Sequence, residues 1–485
     1  MPSIEELRAA KIKKLEKIKA LGNDPYPLSV GRTHEIAAVL KNFTKLNKAK
    51  KQVIIAGRIM ALRNFGALSF AKIEDPSGKM QVVFKKDFIG PKNFESFHEC
   101  ADVGDFLEVR GAVFETKTKE KSIEAANWKI LAKSIMPMPE KWHGLQDLEE
   151  RYRKRYLDLL FNSETREKFE MRSRIISLIR EFLGKKRFLE VETPILQPTY
   201  GGAKAKPFKT HLNALDMDLF LRIAPELYLK RLIIGGFEKV YEIGKAFRNE
   251  GVDKFHNPDF TILEFYWAYA DYKDLMKLAE EMLGHICKKL FKGPKVIIAG
   301  RTINFHAPWQ RIEFKDLLKK YAGVDYDFFD ANGLYEKAKE LGVEIQKGQG
   351  KAEIADEIYK KYCREQIIQP TFVMHHPLGF QPLAKAKDGK VLANFQAIVA
   401  GTEIINAFSE LNDPLEQRQR FEEQEKLFKQ GFEEAQRSDR EFLEALEHGM
   451  PPCAGFGLGV DRLVMLLTDS SNLRDAILFP LMKPR

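Results

Sequence analysis

Phe247-Arg248-Asn249-Glu250, continued by His256-Asn257-Pro258-Asp259-Phe260 and then by Glu264-Phe265-Tyr266, is the stretch on which the reading of this chain turns. Residues two apart on a strand share a face, so Arg248 and Glu250 offer a fixed cation beside a fixed anion if that face lines a cleft. The following loop begins at Gly251, carries Lys254 and His256, and closes on the Phe260 ring. Such a set can guide a polyphosphate tail and stack a base. Nucleotide binding is the first expectation. Alone, Arg-x-Glu is also the ion pair of any surface hairpin, and the remaining sequence has to decide between the two.

A chain of 485 residues exceeds one ordinary core and predicts about two to three domains. Its 44% hydrophobic and 31% charged residues are those of a soluble globular protein. No apolar run approaches the roughly 20 residues that span a bilayer, and the lysine-rich N-terminus has no apolar signal core. A cytoplasmic protein without membrane contact is expected. Cys100, Cys287, Cys363 and Cys453 are scattered without metal or redox spacing and read as free thiols. The net charge of +10 is uneven: residues 1–60 hold ten Lys and three Arg against four Glu and one Asp, an excess of eight. A basic end on an otherwise balanced chain favours a polyanion, nucleic acid above all, unless it is merely a solvated helix face.

From Ser3 to Ala20, Ile4, Leu7, Ile12, Leu15 and Ile18 recur at helical spacing among Lys11, Lys13, Lys14, Lys17 and Lys19, which predicts a basic amphipathic helix. Beyond it the period changes to two, over Val53–Ile59, Leu68–Ile73, Met80–Phe84, Phe106–Val113 and Trp128–Leu131. Five short strands suit a closed barrel of the OB-fold type, with Phe70 and Gln81 on neighbouring strands to stack on and hydrogen-bond a base; alone, Phe70 is also a plausible core residue. A linker at 137–160 includes Trp142-His143-Gly144-Leu145 and the start of a charged helix, Glu149–Leu160. A long helix at about Glu164–Leu183 follows, ended by Gly184. The boundaries expected are a basic helical extension (1–50), the barrel (51–136), the linker (137–160) and a large unit (161–485). Within the last, a helical insertion at about 309–370 carries no site signal.

Three further segments bear chemistry. Gly201-Gly202-Ala203 allows close backbone approach. Ile398–Leu411 places Glu403, Asn406 and Glu410 in an apolar run, where buried charges persist only when paired or bound to a ligand. Gly455-Phe456-Gly457-Leu458-Gly459-Val460-Asp461-Arg462 sets an Arg at the head of an apolar helix, and no GxxxxGK[ST] loop occurs.

With these pieces placed, the sequence resembles the class II aminoacyl-tRNA synthetases, and within them the lysyl-tRNA synthetases, over nearly its whole length. The three class motifs end at Pro194, run through Phe247-Arg248-Asn249-Glu250, and close at Gly457–Arg462. The lysine branch rests on Gly201-Gly202-Ala203, Ala224–Lys230, the run to Gly251, and Phe408-Ser409-Glu410-Leu411-Asn412. The resemblance implies an α+β catalytic domain built on an antiparallel sheet flanked by helices, with an all-β N-terminal OB-fold for the anticodon. The implied reaction is ATP-dependent activation of L-lysine and its transfer to tRNA(Lys), by a homodimer formed through the first motif. Arg248, Glu403 and Arg462 are the implied catalytic residues, and Glu250, His256, Asn257 and Phe260 join them around ATP. Lysine falls to Gly202, Glu226, Arg248, Glu264, Tyr266, Asn406, Phe408 and Glu410, Mg2+ to Glu403, and the anticodon to Arg63, Phe70 and Gln81.

Two departures stand out. The family has a second magnesium-binding Glu seven residues before Glu403, where this chain has Gln396, expected as a weaker magnesium ligand through its amide oxygen or through a water. Its Thr-Gly-Glu barrel turn reads Thr118-Lys119-Glu120 here. Two other functions compete. A ligase attaching lysine to a protein would lack the barrel, and a catalytically idle paralogue would be expected to lose Arg248, Glu250, Glu403 or Arg462.

Overall fold

The computed structural model describes residues 2–139, 145–346, 348–429 and 435–484. It divides into two compact units, residues 1–145 and 146–485. Trp142-His143-Gly144 of the expected linker lie outside the described residues.

In the first unit, Gln52–Phe65, Leu68–Asp75, Gly78–Lys85, Phe106–Glu115 and Lys121–Ala132 close into a five-stranded barrel. The third and fifth strands run parallel and complete the closure, Gln81 opposite Ser122. Alternate residues such as Val53, Ile55, Ala71, Ile73, Val82, Leu107 and Val109 fill its interior, as a period of two requires. The first hairpin turns where Asp75 Oδ1 accepts from the Ser77 and Gly78 amides at 2.8 and 3.0 Å, an Asx turn. At the Thr118-Lys119-Glu120 turn, Lys119 adopts a φ of 62°, in the left-handed region that favours glycine, and its amide donates to Thr116 O at 2.8 Å.

Helix Ile4–Ala20 starts at a Ser3/Glu6 capping box. Only part of the expected apolar stripe is used: Ile18 is buried and Ile12 and Leu15 half-buried, but Ile4 and Leu7 are exposed. Three of the five intervening lysines are spent within the unit, Lys11 on Val103 O at 3.2 Å, Lys14 on Asp102 at 2.6 Å and Lys17 on Glu99 at 2.7 Å. Lys13 and Lys19 remain exposed.

The second unit is built on an eight-stranded sheet. Its spatial order is 310–313, 371–374, 394–399, 402–409, 453–459, 259–268, 239–247 and 189–190. The six central strands are antiparallel, whereas both outermost pairs are parallel, so the expected antiparallel sheet carries a parallel strand at each edge. Leu263, Phe265, Ala407, Phe456 and Leu458 point to one face and pack with Ile179 of helix Ser163–Lys185 and Leu275 and Met282 of helix Tyr272–Phe291. Helix Ser163–Lys185 runs through Gly184 rather than ending there. The alternate residues of the same strands face the other way and line a cleft.

The segment at 309–370 departs from its expected character. Gln310–Glu313 is a sheet strand, and helix Lys351–Tyr362 packs Ile354 and Ile358 with Val373 and Ile398 of the sheet. Helical periodicity identifies such a helix but does not reveal what its polar face borders. That face carries Glu353, Asp356, Glu357 and Lys360 to the cleft.

Candidate active site

The cleft, of about 420 Å³, lies wholly in the second unit. Its floor is strand Cys453–Gly459, where Gly455, Gly457 and Gly459 fall on one face by their spacing. Register then fixes the walls: Glu264 and Asn406 flank Gly457, while Tyr266 and Phe408 flank Gly455. A Cβ at Gly455 would overlap both the Glu410 carboxylate and the Tyr266 ring. Opposite, Gly202 has a φ of 88°, and a Cβ there would come within 2.9 Å of Glu226. These glycines let side chains and backbone converge where any larger residue would fill the space.

One end of the cleft is rich in carboxylates. Helix Glu226–Ile234 places Glu226 and Lys230 one turn apart, and the fully buried Lys230 ammonium contacts Glu226 at 2.6 Å and also Glu410. Burial lowers the Lys230 pKa, but Glu226 and Glu410 reverse this and hold it above its ordinary value. The Phe408 ring centroid is 5.8 Å from the ammonium and that of Tyr266 6.0 Å. Glu264, 6% exposed, has no ion-pair partner of this kind and its Oε2 has no hydrogen bond. Burial, reinforced by Glu226, pushes its pKa up to about 8. Lys230 was given no role by the sequence, although a Lys four residues after a Glu in an apolar helix is its signature.

The other end is cationic. Strand Lys239–Phe247 stops one residue before Arg248, and the Glu250 amide donates to Arg248 O at 2.9 Å. Arg248 and Glu250 therefore lie beyond the strand and do not share its face, because the chain turns there; Glu250 is exposed. The Arg248 guanidinium covers the Phe260 ring at 5.0 Å. Burial lowers its pKa, opposed by Glu250, without discharging an arginine. Arg462 donates to Glu403 O and to His256 Nε2, both at 3.1 Å. A guanidinium can only donate, so His256 Nε2 accepts and the ring proton sits on Nδ1, facing Asp253 at 2.8 Å. The helix bearing Arg462 is held by Asp461, which accepts from the Thr261 amide at 2.8 Å and pairs with Arg172 at 2.5 Å. Asn257 is buried and donates to Asp259 O at 2.6 Å.

Glu403 is half-buried in the same cleft. Gln396 pairs with Asn406 across the sheet, lines the cleft, and buries an Oε1 that has no hydrogen bond. Behind it lies fully buried His376, whose pKa burial pushes down to about 4. The edge helix contributes Lys360, paired with Asp356 at 2.8 Å and Glu357 at 2.9 Å, and Glu353, paired with Lys204 at 2.6 Å. No periodicity or motif marks these residues in the sequence.

In the first unit, Arg63 stands opposite Phe70, and Gln81 opposite Lys72, on the outer face of the barrel. Phe70 is half-buried, with Phe65 edge-on at 6.1 Å, and Gln81 donates to Ser122 at 3.0 Å. Phe70 is thus outside the barrel core.

The fold agrees with the comparisons. The family model for tRNA synthetases class II (D, K and N) matches residues 147–483, and that for the OB-fold nucleic acid binding domain matches residues 53–131. The chain is 48% identical to a lysine–tRNA ligase of Carboxydothermus hydrogenoformans, over 99% of each chain. It is 46% identical to that of Roseiflexus sp. (strain RS-1), over 99% of each, and 47% identical to that of Pelotomaculum thermopropionicum, over 99% of this chain and 96% of the relative. The chain belongs to the lysine–tRNA ligase family of class II tRNA synthetases.

Lys230→Met should destabilise the second unit by about 3–5 kcal/mol near pH 8, because two carboxylates lose a buried cation. Those carboxyls would have folded pKa values above their unfolded ones, so their stability contribution is full at low pH and lost as pH rises. Thermal melts from pH 5 to 8 should therefore show a deficit that grows with pH; a deficit independent of pH would contradict this account.

Proposed function

We propose that this chain activates L-lysine with ATP and transfers it to tRNA(Lys), acting as a cytoplasmic homodimer through the segment that ends at Pro194. The observation that carries the reading is the division of one cleft into a carboxylate end and a cationic end. Lysine brings two ammonium groups and one carboxylate, and ATP brings a triphosphate, so the two ends match the two substrates in charge.

At the carboxylate end, Glu264, Glu410 and Tyr266 receive the side-chain ammonium and Phe408 lies along the stem. Glu226 and the backbone at Gly202 hold the α-amino group, with Asn406 at the carboxylate. Glu264 gives up its proton when the ammonium arrives, because a neighbouring cation favours the ionised carboxylate. At the cationic end, Arg248 bridges the lysine carboxylate and the α-phosphate. Phe260 and Arg462 enclose adenine, Glu250 takes its amino group, Asn257 lies beside them, and His256 and Arg462 meet the γ-phosphate.

No protein nucleophile is needed. A lysine carboxylate oxygen bonds to the α-phosphorus as the bond to the bridging oxygen breaks, and pyrophosphate leaves. Arg248 and Arg462 neutralise the charge that develops. The tRNA terminal ribose hydroxyl then attacks the aminoacyl carbonyl and AMP departs. Glu403 and the buried, unpartnered Oδ1 of Asp356 are hard oxygen donors in this cleft. Among the described residues, no cluster of three or more His, Cys, Asp or Glu could hold a metal by itself. That donor set fits Mg2+, which readily shares its coordination with phosphates and water. Glu403 would hold it, and the ion would supply charge neutralisation at the phosphates. In the barrel, Arg63, Phe70 and Gln81 receive the anticodon.

Pyrophosphate exchange screened across the twenty amino acids should respond to lysine. Glu264→Gln should raise the lysine KM by about 2–5 kcal/mol equivalent while sparing the ATP KM; an unaltered lysine KM would misplace the pocket. For the native chain the lysine KM should fall as pH rises toward 8, since the free Glu264 carboxyl must lose its proton, and Glu264→Gln should flatten that dependence. Phe70→Ala should weaken tRNA charging by about 1–3 kcal/mol with pyrophosphate exchange unchanged; equal losses in both assays would point instead to misfolding.

A further inference from the structure

The buried residues behind Gln396 fix which way its amide faces. The Asn394 side chain accepts the His376 backbone N–H on Oδ1 at 2.9 Å. A backbone amide can only donate, so this contact assigns the Asn394 oxygen and leaves its Nδ2 as the donor. Nδ2 lies 3.1 Å from His376 Nδ1 and 3.0 Å from Gln381 Oε1. His376 Nδ1 is consequently the acceptor, and the ring proton resides on Nε2. A doubly protonated ring would set two donors face to face.

His376 is packed between Phe380, stacked at 4.6 Å, and Phe314, also at 4.6 Å, which restricts rotation of the ring. Its Nε2 has no hydrogen-bond partner, and neither has the buried Oε1 of Gln396, whose side chain lies beside the ring. An N–H must face an acceptor. The Gln396 atom turned toward His376 is therefore the oxygen, and the NH2 is the end left for the cleft that Gln396 lines.

We infer that Gln396 is a phosphate-binding hydrogen-bond donor rather than a metal ligand, and that His376 is the positioning residue that holds its amide in that orientation. This rests on the reading of the cleft as an ATP site. The Gln396 NH2 shares the cleft with Arg248 and Arg462, so it can donate to a phosphate oxygen where a carboxylate would repel one. The amide oxygen, turned toward His376 and away from the cleft, is withdrawn from any cation. This differs from the expectation that Gln396 would be a weakened magnesium ligand.

The test is equilibrium binding of ATP and of adenosine to the full chain without lysine, in EDTA and in magnesium. Gln396→Met, which keeps the length and removes the donor, should weaken metal-free ATP binding by about tenfold or more, as for a hydrogen bond to a charged group, with adenosine affinity unchanged. Gln396→Glu should weaken metal-free ATP binding further and recover most of the loss in magnesium. His376→Phe should give a smaller loss of metal-free ATP affinity, again with adenosine unaffected. Native metal-free ATP affinity in Gln396→Met, or in Gln396→Glu, would overturn the inference while intact adenosine binding preserved the ATP site. Failure of the native chain to bind either ligand would overturn the reading of the site, and the inference with it.

Discussion

The Lys230 ammonium has no surface in water and lies between Glu226 and Glu410. Everything at the carboxylate end depends on this cation. Two buried carboxylates without it would repel each other and resist ionisation still more; even beside it, burial holds both carboxyls above their ordinary pKa, Glu410 well above. The same contacts join helix Glu226–Ile234 to the end of strand Thr402–Ser409, the element that leads into Glu410. Charge balance and tertiary placement are therefore one interaction. Glu264 stands outside the arrangement, which is why burial holds its proton and why the pocket can respond to an added cation.

The sheet makes such a cluster possible by separating its faces. Leu263, Phe265, Phe456 and Leu458 turn to the helices while Glu264, Tyr266 and the glycines of strand Cys453–Gly459 turn to the cleft. A floor without side chains leaves the flanking strands' polar groups room to converge. Glycine in a strand forfeits packing and costs conformational entropy. Here the paired neighbours on both sides and the apolar opposite face offset that loss, so rigidity and empty space occur on opposite sides of one strand.

Period-two alternation made the barrel legible, and the ordered motifs located the arginines and most of the carboxylates. What escaped the sequence depends on long-range placement. Asp356 and Glu357 fall in the helical segment that carries no site signal, because only the docking of their helix on Val373 and Ile398 brings them to the cleft. Lys230 belonged to a diagnostic string, yet its partner Glu410 is 180 positions away, so no local pattern could pair them. The N-terminal lysines looked alike in sequence, and only the packed barrel separates those bound to Asp102 and Glu99 from those left in water. Arg248 and Glu250 were assigned to one strand face because alternation cannot show where a strand ends.

At the cationic end of the cleft, two histidines are oriented by groups with no choice of role. Arg462 can only donate, which sets His256, and the His376 backbone amide can only donate, which sets Asn394 and through it the ring. Such contacts carry proton placement outward from atoms whose chemistry is fixed to atoms whose chemistry is adjustable. Gln396, oriented as we infer, reverses the polarity of that placement, since an amide can accept at one end and donate at the other. A carboxylate in the same position could accept from His376 but would present an acceptor to the cleft as well. With Gln396 oriented as we infer, the neutral, buried ring behind it determines more than packing: this wall of the cleft offers a donor where a carboxylate would offer a ligand.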